Sequence, residues 1–254
     1  MQAGGKASVA LGERPTLPRG FAIKAVESPA PRVAVGRAWL WLLAAAAVLI
    51  AGAIAAFNVD CSVAQWFFER QGPRYLHDLA TISELFGRGE CVLLVVVLIW
   101  RLDCARQWAI PGLAATALLS GLSADAVKML IARVRPHHFD FLKGVWSSFG
   151  PLLPLGSLGS PNQSFPSAHT ATAMGLAISL IVVYPKARWL FCLAPLLVAY
   201  QRMDSGAHFL SDVLCGAAVG CVVAAVTIRA GWLDQEYSER FWGRAGRLVR
   251  RRGS

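Results

Sequence analysis

The run AWLWLLAAAAVLIAGAIAAF, residues 38–57, is twenty residues long and carries no charge. At ~1.5 Å of rise per residue, a helix of that length crosses the ~30 Å hydrocarbon layer of a bilayer. Its reading decides the class of fold, because the rest of the chain agrees with it: 56% of the 254 residues are hydrophobic and only 16% are charged, with a mean hydropathy of +0.49. A soluble globule carries more charge than this. The thirty-seven residues before the run are too many for the basic start of a cleavable signal, and the run is too long for its apolar core. Residues 38–57 therefore read as an uncleaved anchor.

Working outward, further apolar segments lie near residues 81–100, 108–127, 169–184, 189–200 and 209–228. The expected fold is all-α, an integral membrane bundle of six transmembrane helices with both termini on one side. The second segment is the poorest, since Glu84, Arg88 and Glu90 leave only residues 91–100 continuously apolar. Its outer half is expected above the lipid or against protein.

Positive charge orients the bundle. Lys6, Arg14, Arg19, Lys24, Arg32 and Arg37 precede the first span against Glu13 and Glu27, and seven arginines from Arg229 to Arg252 follow the last against three acids. Both ends are expected in the cytoplasm of a cell (inner) membrane protein, with Arg101, Arg106, Lys186 and Arg188 on the same side. The net charge of +10 is then a matter of topology, and no nucleic-acid partner is implied.

Three domains of character follow. Residues 1–36, rich in Gly, Ala and Pro, read as a flexible tail; 37–230 form the bundle; 231–254 form a basic tail in which Trp232, Tyr237, Phe241 and Trp242 suit an anionic leaflet. The outer loop 58–80 mixes Trp66, Phe67, Phe68, Arg70, Arg74 and Tyr75, as a segment at the lipid surface does. The longest internal connection, 136–166, is read as a lid or a guide for an acyl chain. Cys91, Cys192, Cys215 and Cys221 fall within spans, Cys104 in an inner loop and Cys61 in an outer one. No pair has metal-ligand spacing, and they read as small hydrophobes.

Three polar clusters interrupt the apolar background: Lys128 with Arg135-Pro136, then Pro166-Ser167-Ala168-His169, then Arg202, His208 and Asp212. With the first helix running outward, all three fall at the outer surface. Lys128 and Arg135 are seven residues apart, two helical turns, so both share a face if the helix continues that far, with Pro136 helping to end it. Two cations aimed at one point suit a phosphate; snorkelling to headgroups, or an ion pair of Lys128 with Asp125, is the plainer alternative. Ser167 before an apolar helix leaves backbone N–H groups and the helix dipole as an anion site, or is simply a cap. His208 and Asp212 are i and i+4, so the carboxylate can accept from one ring nitrogen and leave the other as a nucleophile. Arg202 stands close enough to hold the phosphate under attack.

Lys128-x6-Arg135-Pro136, Pro166-Ser167-Ala168-His169 and Arg202-x5-His208-x3-Asp212 together resemble the three-part pattern of the type 2 phosphatidic acid phosphatase superfamily, membrane lipid phosphatases related to vanadium haloperoxidases. The resemblance covers about residues 38–229. It implies that His208 attacks phosphorus to give a phosphohistidine, that Asp212 orients it, and that His169 protonates the leaving oxygen and then activates water. It also implies that Lys128, Arg135, Ser167, Ala168 and Arg202 hold the phosphate, with no metal and no cofactor. Ala168 stands where the family usually has Gly, and Gln201 where it usually has Ser; Ala keeps the backbone N–H and is tolerated unless φ must be positive. His137 and His138 match no family position and are candidates for headgroup contact. The expected partners are a lipid phosphate substrate and membrane lipids, with undecaprenyl diphosphate, phosphatidylglycerol phosphate, phosphatidate and a lipid A phosphate as substrates to be tried at the extracytoplasmic face. The alternatives are a lipid-to-lipid phosphotransferase and a non-catalytic lipid-phosphate binding or transport protein.

Overall fold

A computed structural model describes residues 37–69, 73–155 and 158–236. The tail expected at 1–36, the C-terminal aromatics Tyr237, Phe241 and Trp242, and Arg70 lie outside the described residues. Among those described, eight α-helices follow one another: α1 (Ala38–Ala56), α2 (Asp60–Phe68), α3 (Arg74–Ser83), α4 (Gly89–Leu102), α5 (Ile110–Lys128), α6 (Ala168–Val183), α7 (Arg188–Asp204) and α8 (Leu210–Arg229). Between α5 and α6 the chain forms a small antiparallel ribbon of β1 (Ile131–Arg133) and β2 (Phe149–Leu152), with Ile131 opposite Leu152 and Arg133 opposite Phe149. The all-α expectation is thus corrected by one ribbon in a mostly helical chain. The backbone that leaves α5 pairs with its own returning segment.

The helix boundaries follow local chemistry. Pro111 opens α5, where a missing N–H costs nothing. Ser167 caps α6, and Pro185 helps end it. α1 is apolar all round, burying Ala46, Ala53 and Ala56 against α8 and leaving Trp41, Val48 and Ile54 exposed. α1, α8 and the stretch Cys104–Lys128 that contains α5 are long and apolar enough to cross a membrane; α6 is apolar over sixteen residues. Helices also stand at the other two expected places, but α4 begins only at Gly89, because Glu84–Gly87 form a 3-10 turn after α3. Glu84, Arg88 and Glu90 are the polar residues that mark this break.

The core lies where α5, α6 and α8 meet, around Leu113, Ala117, Leu176, Cys221 and Ala224. Small and hydroxylated residues bring these helices close, as in other membrane bundles. Thr116 donates to Thr227 at 2.9 Å across the buried α5–α8 contact. At Gly216 of α8 a Cβ would stand 2.3 Å from the Ser167 carbonyl oxygen, so only glycine lets α8 approach the start of α6. Leu233, expected in the basic tail, is buried in the core beside α5.

The described residues of both long connections form more regular structure than their composition predicts. Residues 58–80 supply α2 and α3, with Phe67 buried against Tyr200, ring centroids 5.2 Å apart, and Phe68 exposed. The 136–166 connection folds onto the bundle: Val134 N–H donates to Ser148 O at 2.8 Å, Arg135 N–H to Pro161 O at 2.9 Å and Ser164 N–H to Arg133 O at 3.0 Å. These bonds press the loop's two ends together over the start of α8.

Candidate active site

The three polar clusters meet at one end of the bundle. Lys128 ends α5, His169 lies in the first turn of α6, Arg202 in the last turn of α7, and His208 just before α8. His169 is in electrostatic range of Arg202, His208 and Lys128, and His208 of Lys128 and Arg135. The route to this arrangement differs from the expected one for the first cluster. α5 stops at Lys128, and Arg135 arrives through β1 in extended backbone, φ −71° and ψ 148°, with Pro136 opening a 3-10 turn. Tertiary folding, and not a shared helical face, brings the two cations to one site. Lys128 also makes the plainer contact, its Nζ 3.0 Å from Asp125 Oδ1.

Arg135 Nε is buried and has no hydrogen-bond partner, the one such side-chain atom among the described residues. Burial lowers the Arg135 pKa from its ordinary value, with the nearby Asp212 carboxylate opposing the change. A buried donor without a partner is costly, which fits a site whose acceptor arrives as a ligand. Arg202 is held on its other side, with Nε donating to Gln201 Oε1 at 2.5 Å and Nη2 lying 3.1 Å from Glu84 Oε1. Gln201 Nε2 in turn donates to Glu84 Oε2 at 3.3 Å. Gln201 therefore belongs to a closed three-residue contact with Glu84, a residue the sequence pattern did not single out. Glu84 Oε1 is also 4.0 Å from His169 Nε2, and at Gly87 of the same turn a Cβ would stand 2.8 Å from His169 Cβ.

His208 is 3% exposed, and its Nδ1 lies 2.6 Å from the carbonyl oxygen of Ser164. A carbonyl can only accept, so Nδ1 carries the hydrogen and Nε2 keeps its lone pair. The Asp212 carboxylate expected to orient His208 stands beside it at ion-pair distance, Oδ2 3.9 Å from Nδ1, beyond direct hydrogen-bond reach. That oxygen accepts instead from Ser164 Oγ at 2.6 Å and from Phe209 N–H at 2.8 Å. Asp212 acts one step back, fixing the residue whose carbonyl fixes the histidine. Burial lowers the His208 pKa from its ordinary value, opposed by Asp212, so the unfolded chain takes up a proton that the folded one refuses. Stability from this group is complete above about pH 6.5 and declines as pH falls through that value toward the folded pKa. Relative to a His208→Gln variant, the parent should lose roughly 2–4 °C of melting temperature per kcal/mol between neutral and mildly acidic pH; parallel pH–melting curves would contradict neutral burial.

A second set of polar residues, missed by sequence reasoning, lies directly behind. Arg133, Asp60 and Asp212 are each fully buried. Arg133 Nη1 donates to Asp212 Oδ1 and, at 2.7 Å, to Ser211 Oγ; Nη2 donates to Asp60 Oδ2 at 2.8 Å and Nε to Ser148 Oγ at 3.1 Å. Three phenyl rings enclose the guanidinium, with Cζ 5.3, 4.7 and 4.2 Å from the centroids of Phe57, Phe149 and Phe209. In the sequence Arg133 is one more cation in a basic stretch and Asp60 a lone loop acid. Nothing in their spacing connects them.

Ser167 Oγ accepts from Thr170 N–H at 3.4 Å and from the Thr170 hydroxyl at 3.0 Å, which leaves its own hydrogen to donate. Ala168 is helical and 8% exposed; among the described residues the non-glycine positions with positive φ are Leu153 and Leu155. Alanine is therefore unstrained here, and the departure from Gly removes nothing that a backbone N–H supplies. Ala168→Gly should change kcat/KM less than about threefold while costing ~0.5–1 kcal/mol of stability; a large gain in activity would show that the methyl group obstructs the site. His137 fastens the loop, its Nδ1 2.7 Å from Gly206 O. His138 lies against it, ring centroids 4.0 Å apart and planes inclined by 50°. Among the described residues no group of three or more His, Cys, Asp or Glu is placed to hold a metal ion. A cleft of about 550 Å³ opens beside His169 between α4, α5 and α6, bounded by Glu84, Glu90, Asp125, Leu118 and Leu122.

The chain is similar to known proteins over the part that holds this site. The chain is 34% identical over 140 residues to lipid A 1-phosphatase of Rhizobium johnstonii, covering 53% of this chain and 54% of that protein. It is 30% identical over 146 residues to decaprenylphosphoryl-5-phosphoribose phosphatase of Mycobacterium tuberculosis, covering 53% and 67%. The chain thus spans about half the length of the lipid A 1-phosphatase relatives it matches. Its fold is similar to the crystal structure of Aquifex aeolicus LpxE, with a TM-score of 0.52 over 67% of this chain and 95% of that one, at 19% identity. Residues 109–236, which hold all three polar clusters on α5 to α8, match the PAP2 superfamily, and the chain belongs to that family.

Proposed function

We propose that the chain is a membrane phosphatase that hydrolyses a phosphomonoester or diphosphate of a lipid at the extracytoplasmic face, through a phosphohistidine on His208. Nε2 of His208 attacks phosphorus as the bond to the leaving oxygen breaks, and that oxygen takes a proton from His169. The ring of His208 keeps its Nδ1 hydrogen on Ser164 and carries the positive charge of the intermediate. Water then attacks phosphorus, giving its proton to His169, while the P–N bond breaks and the lone pair returns to Nε2. Lys128, Arg135 and Arg202, with the Ser167 hydroxyl and the Ala168 amide, hold the non-bridging oxygens and stabilise their charge in both transition states.

The observation that carries this reading is the 2.6 Å contact of buried His208 Nδ1 with the Ser164 carbonyl, which leaves Nε2 free, in range of an Arg135 whose Nε lacks a partner. A glycosyl phosphate such as a lipid A phosphate is the favoured substrate. Relatives are named for lipid A and for a decaprenyl-linked phosphoribose, and the cleft beside His169 offers Glu84, Glu90 and Asp125 to hydroxyl groups and Leu118 and Leu122 to an acyl chain. The test is a brief incubation of purified protein with ³²P-labelled lipid phosphates, followed by denaturation. Acid-labile, base-stable label should appear on the parent and be absent from His208→Gln. Equal labelling of both would rule out this nucleophile.

A further inference from the structure

The buried cluster behind His208 holds more negative charge than positive. Asp212 accepts from Arg133 Nη1, Ser164 Oγ and Phe209 N–H. Asp60 accepts from Arg133 Nη2, from Ser211 N–H at 2.9 Å and from the Ser211 hydroxyl. Every contact of both carboxyl groups is that of an acceptor, so both are carboxylates. Within this cluster one guanidinium stands between two carboxylates, a balance of one negative charge where Asp60, Arg133 and Asp212 are all 0% exposed, with Arg135 the further cation in range of Asp212. Burying such a charge is expensive unless a cation is close by. Arg133 alone would neutralise Asp212, and hydroxyl or amide groups could have satisfied the rest of its donors. Asp60 is therefore surplus to the structural needs of an Arg–Asp pair.

We propose that Asp60 is a positioning residue whose charge, added to the Arg133–Asp212 pair, stabilises the cationic ring that His208 acquires when its Nε2 bonds to phosphorus. This inference rests on the phosphohistidine reading. The free imidazole is neutral and the phosphorylated one, still protonated on Nδ1, is cationic; Asp212 Oδ2 is 3.9 Å from that nitrogen. With Asp60 absent, Arg133 would cancel Asp212 and the ring would face a neutral cluster. With Asp60 present, the cluster carries the counter-charge that the intermediate needs and that the resting enzyme does not, and this difference is the form of interaction that lowers a barrier. Asp60 begins α2, outside the 109–236 stretch that carries the family match, so the outer loop contributes to the chemistry without touching substrate.

Vanadate is the probe, because it bonds to an imidazole nitrogen as a five-coordinate mimic of phosphoryl transfer and requires no knowledge of the lipid. Purified parent should bind it, and His208→Gln should not. Asp60→Asn, which keeps size and most contacts but removes the charge, should weaken vanadate binding by about 10- to 100-fold. Ser211→Ala removes the hydroxyl that donates to Asp60 and accepts from Arg133 and leaves every charge in place; it should weaken binding by less than about threefold. Asp60→Asn combined with Arg133→Gln restores one net negative charge and should bind vanadate at least about tenfold more tightly than Asp60→Asn alone. If Asp60→Asn does not fold, the double variant is judged against the parent and should stay within about tenfold of it. A double variant weaker than the single one, or further than that from the parent, overturns the charge role, as does Ser211→Ala matching Asp60→Asn. Unchanged binding by Asp60→Asn sinks this inference alone, whereas undiminished binding by His208→Gln sinks the phosphohistidine reading beneath it.

Discussion

His208→Gln should lower phosphate release from lipid phosphates by about 10³- to 10⁵-fold, with the fold intact. Glutamine is close to histidine in length, and its amide can still donate to the Ser164 carbonyl that now holds Nδ1 at 2.6 Å. What it lacks is a nucleophilic nitrogen. The residual rate would come from substrate held by Lys128, Arg135 and Arg202 and attacked directly by water. The measurement is inorganic phosphate released from undecaprenyl diphosphate, phosphatidylglycerol phosphate, phosphatidate and a lipid A phosphate, with melting temperature as the check on folding. Equal release by a folded variant would remove His208 from the mechanism. The same panel ranks the substrates, and a glycosyl phosphate is expected at its head.

Arg135→Met should have the second largest effect, and it should act on stability and activity in opposite directions. Arg135 Nε is buried without a partner, and burial disfavours the guanidinium's charge. Methionine fills similar volume without a donor to satisfy, so the variant should gain about 1 kcal/mol, equivalent to roughly 2–4 °C in melting temperature. Removing the cation from the phosphate should cost about 10²- to 10³-fold in kcat/KM. Adding orthophosphate sharpens the comparison. Bound phosphate supplies the missing acceptor, so it should raise the parent's melting temperature and leave that of Arg135→Met nearly unchanged. A destabilised variant that still responds to phosphate would show that Arg135 is a structural residue.

Much of the fold and site was legible because the signals were local. Residues 38–57 have length and lack charge, which is sufficient for a spanning helix, and Ser167 before an apolar run is sufficient for a helix cap. The break at Glu84 to Glu90 was visible for the same reason, since charge interrupts an apolar helix wherever it falls. The proposed phosphate residues were legible as types, because cations, a hydroxyl and imidazoles stand out along a greasy chain. The local pair of Lys128 with Asp125 was legible too, but partnerships across the fold were not. The i,i+4 spacing of His208 and Asp212 pointed to a direct hydrogen bond, but the residues straddle the start of α8. His208 lies outside the helix, and the Ser164 carbonyl, 44 residues away in sequence, takes the position nearest its ring. Lys128 and Arg135 had helical spacing but are separated by the end of α5 and by β1.

The sequence by itself determined that this chain is a membrane bundle, which residues could handle phosphate, and that it resembles the family to which it belongs. Those properties depend on composition and on neighbours a few residues apart, where helix geometry relates spacing to space. Only the tertiary structure decided which group orients His208, that Glu84 and Gln201 hold Arg202, and that Arg133 stands between Asp60 and Asp212. Apart from the adjacent Gln201 and Arg202, those contacts join residues 44 or more apart in the chain, and their energy comes from burying charge and donors together where water cannot compete. Spacing along a chain carries no record of that burial; the packing of α2, the ribbon and α8 around one guanidinium does.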